Sequence, residues 1–279
     1  MSKPKYVIYP SLLDKFQAFV DSDIESEGFW NIDYETGEMK QTPDEIAAKN
    51  EQALLDSINR KPCEPIEAAD KGTCFNEIVD VLISGEKCQR SDIEIDFGFI
   101  DGLGGFTQES DGFCTEVIRA QMNGFTFYYD AELCREAAEY FGSDTISQHF
   151  CKGRIMTAYG EVELYGYLDE IEKDVVYDIK TTSKYDFGKF ERAWQKEVYP
   201  YCLVQSGEVP SVKQFEFVVF QLSKPSSRTP YIKGVRYSEV YTYDHSLAEK
   251  SLRAILERFI EWLEANRDKI TDKKIFGCI

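Results

Sequence analysis

Gly166-Tyr167-Leu168-Asp169-Glu170-Ile171, then Val175-Val176-Tyr177-Asp178-Ile179-Lys180-Thr181-Thr182, reads as two strands joined by a short turn around Glu172 to Asp174. Such a turn brings Asp169 and Asp178 together at adjacent strand ends. Asp178 and Lys180 stand two apart, so both side chains leave the same face of their strand, while Ile179 points the other way, into the core. Two carboxylates and one ammonium therefore converge on one point.

That set suits metal-assisted phosphodiester hydrolysis. Mg²⁺, or Mn²⁺ in its place, takes hard oxygen ligands, which two carboxylates supply. A lysine beside them can orient or help deprotonate water and offset the charge of a pentavalent phosphate. A cross-strand Asp–Lys ion pair is the plainer alternative.

Outward from this pair, Gly153 to Leu168 has the alternation of an antiparallel pair or one long bent strand, and Lys213 to Leu222 and Gly234 to Tyr243 of further strands. Phe187 to Ser206 is expected to be a helix with an early polar turn, and Ser246 to Arg267 a long amphipathic one. The first part of the chain reads as mainly helical. A helix is expected from Ser11, as N-cap, to Phe19; another opens at Thr42-Pro43-Asp44-Glu45 with a capping box and runs to about Ile58. A third runs from Gly72-Thr73 to Ile83 and stops at Gly85; a short one covers Asp130 to Phe141. The glycines at 98, 102, 104, 105 and 112 lack the setting and lysine of a phosphate loop and read as turns. The expected architecture is one α/β domain over 1–279, with an acidic, mainly helical extension over 1–65 and a core over 66–279 that ends in a helix.

The 279 residues carry 50 Asp+Glu against 32 Lys+Arg, a formal charge of −18, which excludes a positive surface over the whole molecule. The acidity is concentrated: 21–60 has a local net of −8, and 91–118 has seven acidic residues and no basic one. These runs read as a solvated face, a partner surface or a nucleic-acid mimic. No run of 18 apolar residues and no secretion signal is present, so a cytoplasmic chain with no membrane partner is expected. The eight cysteines form no CxxC pair, and free thiols are expected. Two stretches run against the acidity: Lys180, Lys184, Lys189, Arg192 and Lys196, and then Lys213, Lys224, Arg228, Lys233 and Arg236. They could line a phosphate-facing stripe, with Tyr185, Trp194 and Tyr231 either stacking on bases or packing ordinarily.

Gly166-Tyr167-Leu168-Asp169 followed by Asp178-Ile179-Lys180-Thr181-Thr182 resembles the core of the PD-(D/E)XK nuclease superfamily, in particular its RecB-like exonuclease branch. Gln195-Lys196-Glu197-Val198-Tyr199 matches that branch's Q-x-x-x-Y motif, and Gly72-Thr73-Cys74-Phe75-Asn76-Glu77 is similar to its earlier G-T-x-x-H/E segment, with Asn76 where histidine is common. The likeness covers most of 66–222. It implies a restriction-endonuclease-like core, a central mixed sheet flanked by helices. It also implies that Asp169, Asp178, Glu77 and the Ile179 carbonyl bind the metal, that Lys180 is catalytic, and that Gln195 and Tyr199 lie in or beside the site. Gln195 and Tyr199 are i,i+4 neighbours, which one helix face presents together. The branch's iron–sulfur cluster is not expected, because only Cys202 and Cys278 follow Lys180.

The expected function is a Mg²⁺/Mn²⁺-dependent deoxyribonuclease, acting on DNA ends or single strands and suited to microbial or phage repair, recombination or genome processing. A protein partner or a homo-oligomer would supply any processivity. The alternatives are an inactive scaffold of the same fold that recruits a partner through its acidic surface, and an acidic DNA mimic.

Overall fold

The computed structural model describes residues 3–28, 31–110, 112, 114–142 and 144–277. Cys278 and Asp111 lie outside them; the seven described cysteines are free. The elements run β1 (Tyr6–Ile8), α1 (Pro10–Val20), α2 (Ser22–Glu27), α3 (Pro43–Ile58), α4 (Glu67–Ser84), β2 (Glu94–Ile100), β3 (Phe106–Thr107), β4 (Thr115–Met122), β5 (Phe125–Asp130), α5 (Ala131–Tyr140), β6 (Ile146–Thr157), β7 (Gly160–Glu172), β8 (Val175–Thr182), α6 (Gln195–Ser206), β9 (Gln214–Leu222), β10 (Gly234–Thr242) and α7 (His245–Ala265).

The chain is mixed α/β. Its central sheet is mixed, with β7 as the spine. On one side β6 pairs with β7 antiparallel along nearly its whole length. On the other side β7 is shared: β1 pairs parallel with Val162–Leu164, and β8 pairs antiparallel with Glu170–Glu172. Residues 165–169 of β7 face no strand on that side. Beyond this split β8 runs parallel to β9, and β10 closes the edge antiparallel.

Two hydrophobic cores sandwich the sheet. The first packs α1, α3, α6 and α7 on one face through Leu13, Phe16, Leu54, Leu203, Leu256 and Phe259, with Val176, Phe217 and Val219 from the strands. The second packs α4, α5 and the antiparallel sheet β3-β2-β4-β5 on the other face, against Ile179, Val218, Phe220 and Leu222. Alternation along β8 and β9 sends successive side chains to opposite faces of the sheet, which is why Phe215 to Phe220 of β9 reads as a nearly unbroken apolar run.

The capping box at Thr42 forms, with Thr42 accepting from the Glu45 N–H and Glu45 accepting from the Thr42 N–H, and Pro43 opens α3. Gly85 ends α4 with φ 67°. Four expectations shift. Helix α1 starts at Pro10, whose ring presets the first helical position, so Ser11 lies inside the helix and Tyr9 is the N-cap. Helix α4 starts at Glu67, one turn before Gly72, because Glu67, Ala68 and Ala69 are strong helix formers just after Pro65. The glycine-rich stretch is only partly turn: Asp101 Oδ1 accepts from the N–H groups of Leu103 and Gly105, while the flanks pair as β2 and β3 because β4 offers β2 a partner edge. The expected helix from Phe187 forms only from Gln195; residues 186–193 are turns.

The segment 1–65 also contributes to the main core. Tyr6 and Ile8 of β1 are fully buried beside β7, and Leu12, Leu13 and Phe16 of α1 pack beneath the sheet.

Candidate active site

The split between β7 and β8 places the acidic residues. Asp178 is buried, with a side chain only 3% exposed, and lies on the face of β8 turned towards α6. Lys180 follows on the same face, with its ammonium 2.6 Å from Asp178 Oδ2 at angles outside hydrogen-bond geometry. Gln195, the first residue of α6, ties the pair together. Its Oε1 accepts from Lys180 Nζ at 2.6 Å and its Nε2 donates to Asp178 Oδ1 at 2.7 Å. Only one amide orientation serves both partners, so the charges on either side fix it.

Helix α6 is held over this point by two devices. Asp14 of α1 accepts from the Trp194 N–H at 2.8 Å, occupying a donor at the start of α6 that the helix leaves unpaired. One turn on, Tyr199 packs on β7 at Gly166, where an added Cβ would come 2.6 Å from the ring. Gly166 is therefore the residue that lets α6 approach. Tyr199 is buried, and its hydroxyl lies 3.5 Å from Gln195 Nε2.

Asp169 reaches across the split: its Oδ2 accepts from the Ile179 N–H at 2.7 Å. Strand geometry turns the carbonyl of Ile179 to the same side as its N–H, towards Asp169. The alternation of β7 breaks here. Leu168 and Ile171 both belong to the first core, while Glu170 lies opposite Tyr177, which packs on the second. Across on β6, the register omits Gln148, whose φ is 50°, and Asp169. An irregularity of this kind re-aims a side chain at a strand edge.

Helix α4 approaches from the other face. At Gly72 the helix comes close to β8: an added Cβ would meet the Thr181 hydroxyl. One and two turns on from Gly72, Asn76 and Asp80 carry buried oxygens without a hydrogen-bond partner: Asn76 Oδ1 and both carboxylate oxygens of Asp80. Glu170 is fully buried; its Oε2 accepts from Ser147, and its Oε1 has no hydrogen-bond partner. Burial pushes the carboxyls of Asp80, Glu170 and Asp178 above the carboxylate range, as it does Asp169, where the charge of Asp178 adds to the effect. Burial pulls the Lys180 ammonium down, but Asp178, Asp169 and Asp14 outweigh it and hold its pKa above the usual value.

The structure thus brings together Asp169, Asp178, Ile179, Lys180, Gln195 and Tyr199. It turns Glu77 elsewhere: Glu77 accepts from the Cys88 thiol at 3.5 Å and lies 3.8 Å from Arg90. Sequence reasoning missed Asp14, Asp80 and Glu170. The helical spacing Gly72, Asn76, Asp80 could have pointed to Asp80, whereas nothing in the sequence distinguishes Asp14. The basic stripe is largely engaged: Lys184 with Asp186, Arg192 with Asp21, Lys213 with Asp174, and Arg236 over the Tyr140 ring. Tyr185 packs on Tyr237 and donates to Glu239, Trp194 packs on the first core, and Tyr231 lies under Lys233.

Among the described residues, no group of three or more His, Cys, Asp or Glu side chains gathers closely enough to hold a metal. The donors at the split still suit Mg²⁺, which keeps several waters and takes one or two carboxylates. Asp178 Oδ2 is buried without a hydrogen bond and is matched only by a cation, the environment a divalent ion would also satisfy. Among the described residues no helix is long and apolar enough to cross a membrane.

No family model matches the chain, and no curated protein matches it. Three solved chains do. One, titled "Crystal structure of SSO0001", is 12% identical and has a TM-score of 0.25; the match covers 40% of this chain and 49% of that one, too slight a likeness to bear on the fold.

Proposed function

We propose that the protein is a Mg²⁺- or Mn²⁺-dependent deoxyribonuclease with a restriction-endonuclease-like core, acting on DNA ends or single strands. The observation that carries this reading is the Asp178–Lys180–Gln195 triangle set against Asp169 across the split between β7 and β8. Asp169, Asp178 and the Ile179 carbonyl would hold the metal. When bound, the ion supplies charge to a phosphoryl oxygen and acidity to a water. Lys180 is clamped by Asp178 and Gln195, so its ammonium meets the scissile phosphate already oriented and offsets the charge that develops on it. In this reading Lys180 orients the attacking water and stabilises charge. Gln195 is a positioning residue for Lys180, and Tyr199 fixes the helix that carries Gln195. Asp80 of α4 and Glu170 of β7, whose charges act on Asp169 or on each other, would flank such a metal, and Glu77 is one turn of α4 away.

The test is cleavage of end-labelled single-stranded, linear duplex and circular DNA with Mg²⁺, Mn²⁺ or EDTA, beside Lys180→Ala. Metal-dependent loss of linear DNA that disappears in the variant supports the reading, and survival of circles makes the enzyme an exonuclease. Equal cleavage by Lys180→Ala, or none by the folded parent, overturns it; the latter favours a scaffold of the same fold.

A further inference from the structure

The unpartnered stretch of β7 that ends at Asp169 carries aromatic side chains towards solvent. Tyr167 is 61% exposed, and Phe150, directly opposite on β6, is 42% exposed. Their ring centroids are 5.1 Å apart. Phe150 also meets Tyr165 at 6.4 Å, and Tyr165 meets Tyr9 edge-on at 5.7 Å. Four rings thus form a continuous ladder leading to Asp169. The ladder borders a cavity of about 400 Å³ between the start of α1 and the start of α6, whose walls include Tyr9, Arg60, Tyr165, Tyr167, Gln195 and Tyr199. That volume is of the size that holds a small organic ligand.

The charges beside the rings define the occupant. Lys152 stands directly opposite Tyr165 and has no ion-pair partner among the described residues. Arg60 has a side chain 55% exposed and is paired with Asp272 at 2.9 Å. Along the outward row of β6, Gln148, Phe150 and Lys152 are followed by Arg154, which pairs with Glu161 and Glu163, and by Met156, which is 59% exposed. Aromatic faces alternating with cations are the composition that reads bases and phosphates of a single strand.

We propose that this ladder is a nucleobase track: one base of a single-stranded DNA end stacks on Phe150 and Tyr167, its neighbour enters the cavity walled by Tyr9 and Tyr165, and the phosphate on the other side of the Tyr167 base is presented to Asp169. The inference rests on the nuclease reading of the adjoining residues and adds to it the form of the substrate, an unpaired end with its bases turned towards the protein. It also accounts for exposed rings on an otherwise acidic surface, since stacking supplies affinity that net charge does not.

The experiment is fluorescence anisotropy of a short labelled oligo(dT) and of an abasic strand of equal length, in calcium buffer, with the parent, the double variant Phe150→Ala/Tyr167→Ala, and Phe97→Ala as an exposed aromatic control on the smaller sheet. The parent is expected to bind oligo(dT) about tenfold or more tightly than the abasic strand. The double variant should lose that preference while binding the abasic strand as before, and Phe97→Ala should keep it. A parent that binds both strands equally, or a double variant with the preference intact, overturns the track while leaving the nuclease reading standing. A parent that binds neither strand overturns both. Self-association of the parent that the double variant abolishes, with no strand preference, would give the face to a second copy of this chain.

Discussion

The backbone N–H of Ile179 donates to Asp169 Oδ2 at 2.7 Å, across the point where β7 and β8 part. This bond joins two strands that share only three residue pairs, Glu170–Glu172 with Val175–Tyr177. It holds the Asp169 carboxylate at the mouth of the split and ties it to the strand carrying Asp178 and Lys180. Replacing Asp169 with Asn keeps an oxygen for this bond and removes the charge. Asp169→Asn should melt within a few degrees of the parent but lose Mn²⁺ binding and cleavage; isothermal titration calorimetry with Mn²⁺ checks the first loss and the DNA assay the second.

Lys180→Met should destabilise the protein as well as abolish cleavage. It leaves Asp178, with a side chain 3% exposed, facing no cation. Breaking a buried ion pair from one side costs about 3–5 kcal/mol. Urea unfolding should show a lower midpoint with an unchanged slope, and Lys180→Met/Asp178→Asn should recover part of the loss. A double variant no more stable than the single one would contradict the coupling.

Gly166→Ala adds a Cβ 2.6 Å from the Tyr199 ring. The added methyl displaces the ring and, with it, the turn of α6 that carries Gln195 beside Lys180. Overpacking of this kind costs about 1–3 kcal/mol. Cleavage should fall more steeply than stability, and the companion change Tyr199→Phe should not relieve it, because the clash is with ring carbon. Thermal melts and initial rates on one substrate check both statements.

Acid sensitivity should arise in part far from the site. Glu264 of α7 accepts from the Tyr6 hydroxyl at 2.7 Å and pairs with Arg267, tying the last helix to β1. The Arg267 hydrogen bonds, with the Tyr6 bond adding to them, hold the Glu264 carboxyl down at about 2. A depressed carboxyl stabilises the folded chain above its unfolded pKa of about 4.3, and that stabilisation fades as pH falls through about 2. Because this pair is partly exposed to solvent, the effect is modest. Glu264→Gln should lower the melting temperature at pH 7 and leave it nearly unchanged at pH 2; a shift of equal size at both values would contradict the linkage.

Much of the site is legible in the sequence because strand alternation and helix repeat are local rules. The two-residue spacing of Asp178 and Lys180 put both on one face, and the four-residue spacing of Gln195 and Tyr199 put both on one side of α6. The capping box at Thr42 and the stop at Gly85 are equally local. The start of α6 is not legible in the sequence because what begins it is not local: the acceptor for the Trp194 N–H is Asp14, 180 residues earlier.

The sequence by itself determined which side chains share a face, since backbone periodicity fixes that without reference to the rest of the chain. Only the tertiary structure decided which faces meet. It divided one edge of β7 between β1 and β8 and broke the alternation at Asp169. It set Asp80 rather than Glu77 beside Glu170, and left Tyr167 and Phe150 bare next to the carboxylates. These are consequences of packing between elements distant in sequence, where burial of both cores selects one arrangement.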